Sequence, residues 1–411
     1  MTAFLVGCGT RDVPGEDNRP QALGPAESRG DTTVTDDRPT IGNALVSGED
    51  PGLAGIFLLG DDDYYTHAEK MDRAPALVHL FVDWSSDLSG ARPGAARVPV
   101  DPIAPDEFAF LDFALQPGTI VAISWAMPLP NYDVAGDAYG TIPNVQDILD
   151  GRYDSHVRDF ARAIDRIQSP VMLTLFGEFD NDAFYSFGPD GRSSAVADPD
   201  VPAERDVPVA DDLYRHYGDP DHPDGPERVR DAFIHVIEIF QEEGVTEPSW
   251  FMYGSSGFLS ARPAAGEAQL VEATSVWNRP EWYYPGDEYI DWVGKSLHHD
   301  DFASLREMFE GAYQAWGEVT LRPFFSPEYS LSLQPESRAA QIEREFGSYL
   351  PGFERFKAFA ITDQDPATGS DEFGLMTIGG LRGEFPEEVA AWNTAVRDNP
   401  EWKTLPYTFL D

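Results

Sequence analysis

The chain has 411 residues, and its 72 acidic residues against 29 basic ones give a formal charge of −43 at pH 7. This balance argues against nucleic acid as a partner, because proteins bind a polyphosphate by neutralising it with Lys and Arg. Since 42% of the residues are hydrophobic and 12% aromatic, the sequence can fill a large core and does not resemble a disordered acidic polymer.

The acidic residues are spread along the whole chain, and only four lysines accompany them, at positions 70, 295, 357 and 403. Two interpretations remain open. The acidic surface is either a halophilic adaptation to concentrated salt, where the screening length shortens to about 3 Å at 1 M, or a means of attracting a cationic substrate. We favour the first interpretation.

Residues 1–50 differ in composition from residues 51–411. From residue 9 the first segment is rich in Gly, Pro, Asp and Thr without apolar periodicity, which predicts a disordered acidic N-terminal tether. Its Cys8 is the single cysteine, so the chain can form neither an intrachain disulfide nor a cysteine-based metal site.

Cys8 ends the stretch LVGC, which resembles the lipobox of secreted lipoproteins. The residues before it are too few for a signal peptide and include no basic segment. We expect either an extracellular or cell-surface protein with a lipid anchor at Cys8, or a terminus without that role.

Eight short apolar runs follow in residues 51–411, at 55–60, 76–84, 119–127, 171–179, 249–255, 289–297, 322–329 and 358–363. The runs are nearly continuous rather than alternating, which is typical of strands covered on both faces. Between them, apolar residues recur at helical spacing, as in Val157, Phe160 and Ile164. This alternation predicts an α/β fold, a (β/α)8 TIM barrel, with a doubly wound open sheet as the alternative. The sequence contains neither a G-x-G-x-x-G loop after the first strand nor a P-loop, and an open nucleotide-binding sheet would need such a loop.

Two glutamates lie at the ends of predicted strands, Glu178 in the fourth apolar run and Glu328 in the seventh. Barrel enzymes carry their reactive groups at the carboxyl ends of strands, and the fourth and seventh strands face each other across the barrel mouth. Nearby aromatic residues would raise the pKa of a carboxyl, as a general acid requires. The pair predicts glycoside hydrolysis, which needs two carboxyls across the scissile bond. Taken singly, each glutamate is better explained as a rim carboxylate bonded to a loop amide or an arginine, and only the two together favour catalysis.

Three segments follow one another along the chain, namely DGRYD at 150–154, SPVML at 169–173 and GEFDN at 177–181. They resemble the G-x-Y-D, P-V and H-E-M-N motifs of glycoside hydrolase family 26, the β-mannanase family. The run YPGDEYIDWVG at 284–294 and the triplet ISW at 123–125 are also similar to that family. The resemblance covers about residues 50 to 385. It implies a (β/α)8 barrel, Glu178 as acid/base and Glu328 as nucleophile of a retaining double displacement without a cofactor.

The sequence departs from the family at three places. Gly177 replaces the family's His before the acid/base, His298 occupies the place of a tyrosine after the sixth strand, and the eighth strand lacks a tryptophan. These departures keep a second hypothesis open, a non-catalytic carbohydrate-binding barrel derived from such an enzyme.

Sugar rings stack on aromatic side chains while their hydroxyls bond polar groups. On this basis the predicted substrate-binding residues are Trp125, Asn181, Tyr185, Trp277 and His298. A metal site at His298 and His299 is disfavoured, because adjacent residues on an extended chain point in opposite directions. The expected substrate is a β-linked polysaccharide of the mannan, xylan or glucan type.

Overall fold

The structure is a computed structural model. It describes residues 51–57, 67–69, 71–83, 118–126, 145–167, 169–179, 225–254, 280–297, 305–331, 335–362 and 386–407. The predicted tether at residues 1–50, including Cys8, lies outside the described residues, so the tether and the lipid anchor stay predictions.

Ten strands are described: β1 Gly52–Phe57, β2 Ala74–Pro75, β3 Leu77–Asp83, β4 Ile120–Ala126, β5 Val171–Thr174, β6 Ser249–Gly254, β7 Trp292–Lys295, β8 Phe324–Tyr329, β9 Phe356–Thr362 and β10 Trp402–Leu405. The parallel strands run in the order β1, β3, β4, β5, β6, β7, β8 and β9, and β9 pairs in parallel with β1. This pairing closes an eight-stranded barrel, which confirms the (β/α)8 prediction and rules out the open sheet. All eight predicted apolar runs supply a barrel strand.

The two short strands β2 and β10 were not predicted. β10 pairs in parallel with β1 and antiparallel with β2, so this small extension sits beside the barrel seam. A two-residue strand such as Ala74–Pro75 gives no periodicity to detect in a sequence.

Seven α-helices are described: α1 Val145–Leu149, α2 Asp154–Ile164, α3 Gly225–Glu242, α4 Pro280–Tyr283, α5 Leu305–Val319, α6 Pro335–Arg344 and α7 Pro386–Trp392. Helices α6 and α7 continue directly into the π-helical turns Glu345–Tyr349 and Asn393–Arg397. The apolar stripe predicted on α2 is buried, since Val157, Phe160 and Ile164 are at most 2% exposed. Within the described part of the chain, no helix has the length and apolarity needed to cross a bilayer.

The core has two layers, which follow from the alternation of side chains along each strand. One layer fills the barrel with residues such as Leu77, Ala122, Met172, Phe251 and Trp292. The other layer, to which the alternate strand residues belong, lies between the barrel and its helices. Parity along a strand therefore decides whether a residue can reach the barrel interior.

Strand β7 approaches its neighbour β8 unusually closely at Gly294. A Cβ atom on Gly294 would lie 1.8 Å from the carbonyl oxygen of Phe325, so no other residue fits there without displacing the backbone. The Gly294 carbonyl also accepts a hydrogen bond from the Trp316 indole of α5 at 3.1 Å. The close approach at Gly294 holds β8, the strand that carries Glu328, against β7, the sixth barrel strand.

Candidate active site

Glu178 lies four residues beyond the end of β5, on the turn that leaves the fourth barrel strand. Its side chain is 6% exposed, and its backbone has φ +51°, in the left-handed region that side chains other than glycine rarely occupy. The next residue is tied to the barrel, because the Phe179 amide donates to the Tyr253 carbonyl at 3.2 Å. Strained backbone of this kind is concentrated at functional sites.

Glu328 lies in an irregular part of β8, the seventh barrel strand. Ser326 pairs with Phe359 and Tyr329 pairs with Ile361, so β8 has one residue more than β9 over this stretch. The bulge contains Pro327, which has no amide proton to offer a ladder. The Glu328 carbonyl accepts a hydrogen bond from the Leu297 amide at 2.7 Å, which holds the bulged backbone in place.

The two glutamates act on the same phenol, that of Tyr253 on β6. The Tyr253 hydroxyl donates to Oε1 of Glu328 at 2.9 Å. Burial raises the pKa of Tyr253 well above its ordinary value of 10, and the negative charges of Glu328 and Glu178 raise this pKa further. Both carboxylates, each 6% exposed, are therefore within electrostatic reach of one hydroxyl at the carboxyl end of the barrel.

A buried polar chain extends from Tyr253 into the barrel. Its hydroxyl lies 3.1 Å from Oγ of Ser124 on β4, and that Oγ lies 2.8 Å from Nε2 of His79 on β3. His79, Ser124 and Tyr253 are all 0% exposed. We call these three residues the polar relay.

Burial is the largest influence on His79 and lowers its pKa from 6.5 to about 4. The charge of Glu328 and a hydrogen bond with the Pro327 backbone raise the pKa, without offsetting the desolvation. His79 is accordingly neutral near pH 7, with one ring nitrogen a donor and the other an acceptor.

Sequence reasoning missed the polar relay, although a signal was present. His79, Ser124 and Tyr253 are isolated polar residues within apolar strand runs, and each lies at a position that faces the barrel interior. A polar side chain at an interior position of a packed barrel needs a partner, which is a reason to search the neighbouring strands for one.

The structure corrects the prediction that Trp125 forms a sugar platform. Trp125 shares its parity on β4 with Val121 and Ile123, which face the helices. Its indole is 0% exposed and stacks on Phe160 of α2, with ring centroids 3.8 Å apart. A sugar cannot reach this ring, because Trp125 packs between the barrel and α2. The other four predicted substrate-binding residues, at positions 181, 185, 277 and 298, lie outside the described residues.

The run at 284–294 builds the entrance to β7 at its amino end. Asp287 accepts hydrogen bonds from the Tyr284 hydroxyl and the Thr320 hydroxyl, both at 2.6 Å. Further along, the buried Asp291 carboxylate accepts from the Trp250 amide at 2.9 Å and so joins β7 to β6. Groups at the amino end of barrel strands serve stability rather than chemistry, so this run is a scaffold for the site.

The described residues contain no group of three or more His, Cys, Asp or Glu side chains placed to hold a metal ion. The arrangement at the barrel mouth is instead a pair of carboxylates around one tyrosine. Two carboxylates so placed can divide the roles of proton donor and nucleophile between them.

Comparison with known proteins supports the fold. No protein-family model matches the sequence. Among solved structures, the chain is similar to a GH26 β-mannanase from Bacteroides ovatus, with a TM-score of 0.51 and 13% identity over 90% of this chain and 94% of that one. It is also similar to a modular endo-β-1,4-mannanase of family 26 from Cellulomonas fimi, with a TM-score of 0.54 and 12% identity over 90% of this chain and 76% of that one. At these identities the likeness shows a shared barrel fold, as the sequence motifs had predicted.

One curated protein is similar in sequence, Endoglucanase H of Acetivibrio thermocellus, with 19% identity over 349 residues. The match covers 82% of this chain and 30% of the relative, so the chain spans about a third of that protein's length.

Proposed function

We propose that this chain is a glycoside hydrolase of family 26 type, which cleaves a β-linked polysaccharide. The observation that carries the proposal is the buried pair Glu178 and Glu328, at the ends of the fourth and seventh barrel strands, whose charges both act on the Tyr253 hydroxyl. The shared fold with β-mannanases and the sequence similarity to an endoglucanase support it.

The proposed mechanism is a retaining double displacement. Glu178 protonates the departing glycosidic oxygen while Glu328 attacks the anomeric carbon and forms a glycosyl-enzyme. Glu178 then removes a proton from water, which releases the sugar with its original anomeric configuration. The hydrogen bond from Tyr253 stabilises an ionised Glu328, and a nucleophile must be ionised to attack.

The first test is hydrolysis of mannan, xylan, β-1,3-glucan and mixed-linkage glucan in molar salt, followed as release of reducing sugar. Mannan and then the two glucans are tested first, because the similar proteins are named as mannanases and an endoglucanase. Proton NMR of the first product then reads the anomeric configuration, and retention is expected. Inversion would remove the covalent intermediate from the mechanism.

Variants assign the roles of the two glutamates. Glu328→Gln and Glu178→Gln should each abolish turnover of the polysaccharide, while Glu318→Gln, the same chemical change on the exposed face of α5, should not. With an activated aryl glycoside, azide should rescue Glu178→Ala with retention and Glu328→Ala with inversion, because only the second variant lacks the nucleophile. Full polysaccharide hydrolysis by Glu328→Gln would refute the assignment.

A second function remains a candidate, a carbohydrate-binding barrel without hydrolysis. Gly177 favours it, since this residue brings no side chain to the position before Glu178, where family 26 enzymes have a histidine. Calorimetric binding of a polysaccharide by the wild-type protein, without any release of reducing ends, would select this function over the first.

The proposal extends to the surroundings in which the protein works. We expect an extracellular or cell-surface enzyme, anchored through Cys8, whose acidic surface is adapted to concentrated salt. Mass spectrometry of the protein from its native membrane fraction would detect the lipid on Cys8.

A further inference from the structure

The polar relay contacts Glu328 through the Tyr253 hydroxyl and begins at His79, which is buried in the barrel interior. We propose that His79 and Ser124 are positioning residues that act on Glu328 through Tyr253, in a chain of hydrogen bonds whose protons all point toward the carboxylate. This inference rests on the proposed function only in taking Glu328 as the nucleophile.

Counting protons gives the direction of the chain. An ionised carboxylate only accepts, so the 2.9 Å bond to Glu328 uses the single proton of the Tyr253 hydroxyl. The Tyr253 oxygen then accepts from Ser124 at 3.1 Å, which uses the single proton of the Ser124 hydroxyl. Ser124 must in turn accept from Nε2 of His79 at 2.8 Å. His79 is therefore the tautomer with its proton on Nε2.

The opposite direction is the competing arrangement. The Pro327 backbone can accept a hydrogen bond only from a protonated ring nitrogen of His79, because proline has no amide proton and its carbonyl is the acceptor. If His79 carried its proton on Nδ1 for that carbonyl, Ser124 would donate to Nε2 and Tyr253 to Ser124. Glu328 would then lose the hydrogen bond that the Tyr253 hydroxyl donates to it.

Charge decides between the two directions. A hydrogen bond to an ionised carboxylate is roughly twice as strong as one between neutral groups. The relay is fully buried, so water does not compete for these bonds. A neutral hydrogen bond from His79 to the Pro327 carbonyl is weaker than the bond from Tyr253 to the charged Glu328 and does not compensate for its loss. An ionised Glu328 consequently selects the direction toward itself.

The consequence is that three strands support Glu328 in different ways. Tyr253 on β6 contacts the carboxylate, Ser124 on β4 orients the phenol, and His79 on β3 orients the serine hydroxyl. Ser124 and His79 touch neither substrate nor reacting atoms, and their effect on catalysis passes through Tyr253.

The direct test is the tautomer of His79, read by nitrogen NMR on protein labelled with ¹⁵N-histidine and assigned with His79→Gln. The wild type should carry the proton on Nε2. In Tyr253→Phe the relay is cut from Glu328, so the proton should move to Nδ1. Tyr283→Phe, which removes another fully buried hydroxyl outside the relay, is the matched control and should keep the Nε2 proton.

This measurement needs no substrate, so it stands even if no hydrolysis is found and the proposed function fails. A proton on Nδ1 in the wild type would overturn the inference. An Nε2 proton that persists in Tyr253→Phe would overturn it as well, because Glu328 would then not set the direction.

Kinetics provide the second test in an active enzyme. Ser124→Ala should lower kcat about tenfold with little change in KM and move the acidic limb of the kcat profile to higher pH, because Glu328 is less stabilised as an anion. Ser124→Thr retains the hydroxyl and should restore most of the rate. A wild-type profile in Ser124→Ala would refute a positioning role for the relay.

Discussion

Replacing His79 by Gln should make the stability of the fold less sensitive to acid. Burial lowers the pKa of His79 from 6.5 to about 4 in the folded protein, while the unfolded chain exposes the ring to water. At about 1.4 kcal/mol per pH unit, this difference amounts to roughly 3 kcal/mol between the two pKa values. About 2 kcal/mol of it falls between pH 7 and pH 5.

The sign follows from which state binds the proton. Between pH 6.5 and pH 4 the unfolded chain is protonated at His79 and the folded protein is not, so acid favours unfolding. The stabilisation is complete above pH 6.5 and is lost as the pH falls toward 4. Gln at this position cannot titrate, and its amide can still donate to Ser124.

The assay is urea unfolding at pH 7, 6 and 5 in constant salt, for the wild type and for His79→Gln. The difference in unfolding free energy between the two proteins should change by about 2 kcal/mol from pH 7 to pH 5, in favour of the variant. His156→Gln is the control, since His156 is half-buried against the Trp125 ring and lies outside the relay. Parallel curves for wild type and His79→Gln would refute the reasoning, since they would mean that His79 takes up protons equally in both states.

Three further predictions concern stability. Glu388→Ala should cost about 3–5 kcal/mol in urea unfolding, because it removes the carboxylate bonded at 2.7 Å to Arg338, whose side chain is 2% exposed. Arg306→Ala, which removes the exposed member of the pair with Glu310, should cost less than about 1 kcal/mol, and equal costs would contradict this. Glu178→Gly should exceed Glu178→Ala in unfolding free energy by about 1 kcal/mol, because glycine accepts φ +51° without strain, and a more stable alanine variant would show that the backbone is unstrained. With a charge of −43, the wild type should gain thermal stability as NaCl rises from 0.1 to 2 M, and a constant melting temperature would argue against the halophilic interpretation.

Much of the fold was predictable because the barrel strands are buried on both faces. Continuous apolar runs such as those at 76–84 and 119–127 mark such strands regardless of their partners, and all eight were found. The strands β2 and β10 were not predicted because β10 depends on pairing with β1 and β2 depends on pairing with β10, and no local sequence pattern indicates either pairing.

The site was predictable only in part. The ends of the fourth and seventh strands indicated Glu178 and Glu328, because topology alone brings those ends together. The prediction for Trp125 was wrong because it used only the position of Trp125 near the end of its strand. It did not ask which face of the strand the side chain occupies, and a residue near a strand end can face the helices as easily as the barrel interior. The role of Tyr253 depends on a bond to a residue 75 positions away, which only the folded barrel reveals.

The three residues of the polar relay lie on β3, β4 and β6, and Glu328 lies on β8, so none of these four residues belongs to a loop. Under the proposed function, exchange of the loops at the barrel mouth would therefore change which sugar enters without disturbing the support beneath Glu328. The reverse operation is harder: transplanting the rim onto a foreign barrel would leave that support behind. Under the proposed function, specificity and reactivity would lie in separate parts of this architecture, and an engineer could alter the first while holding the second constant.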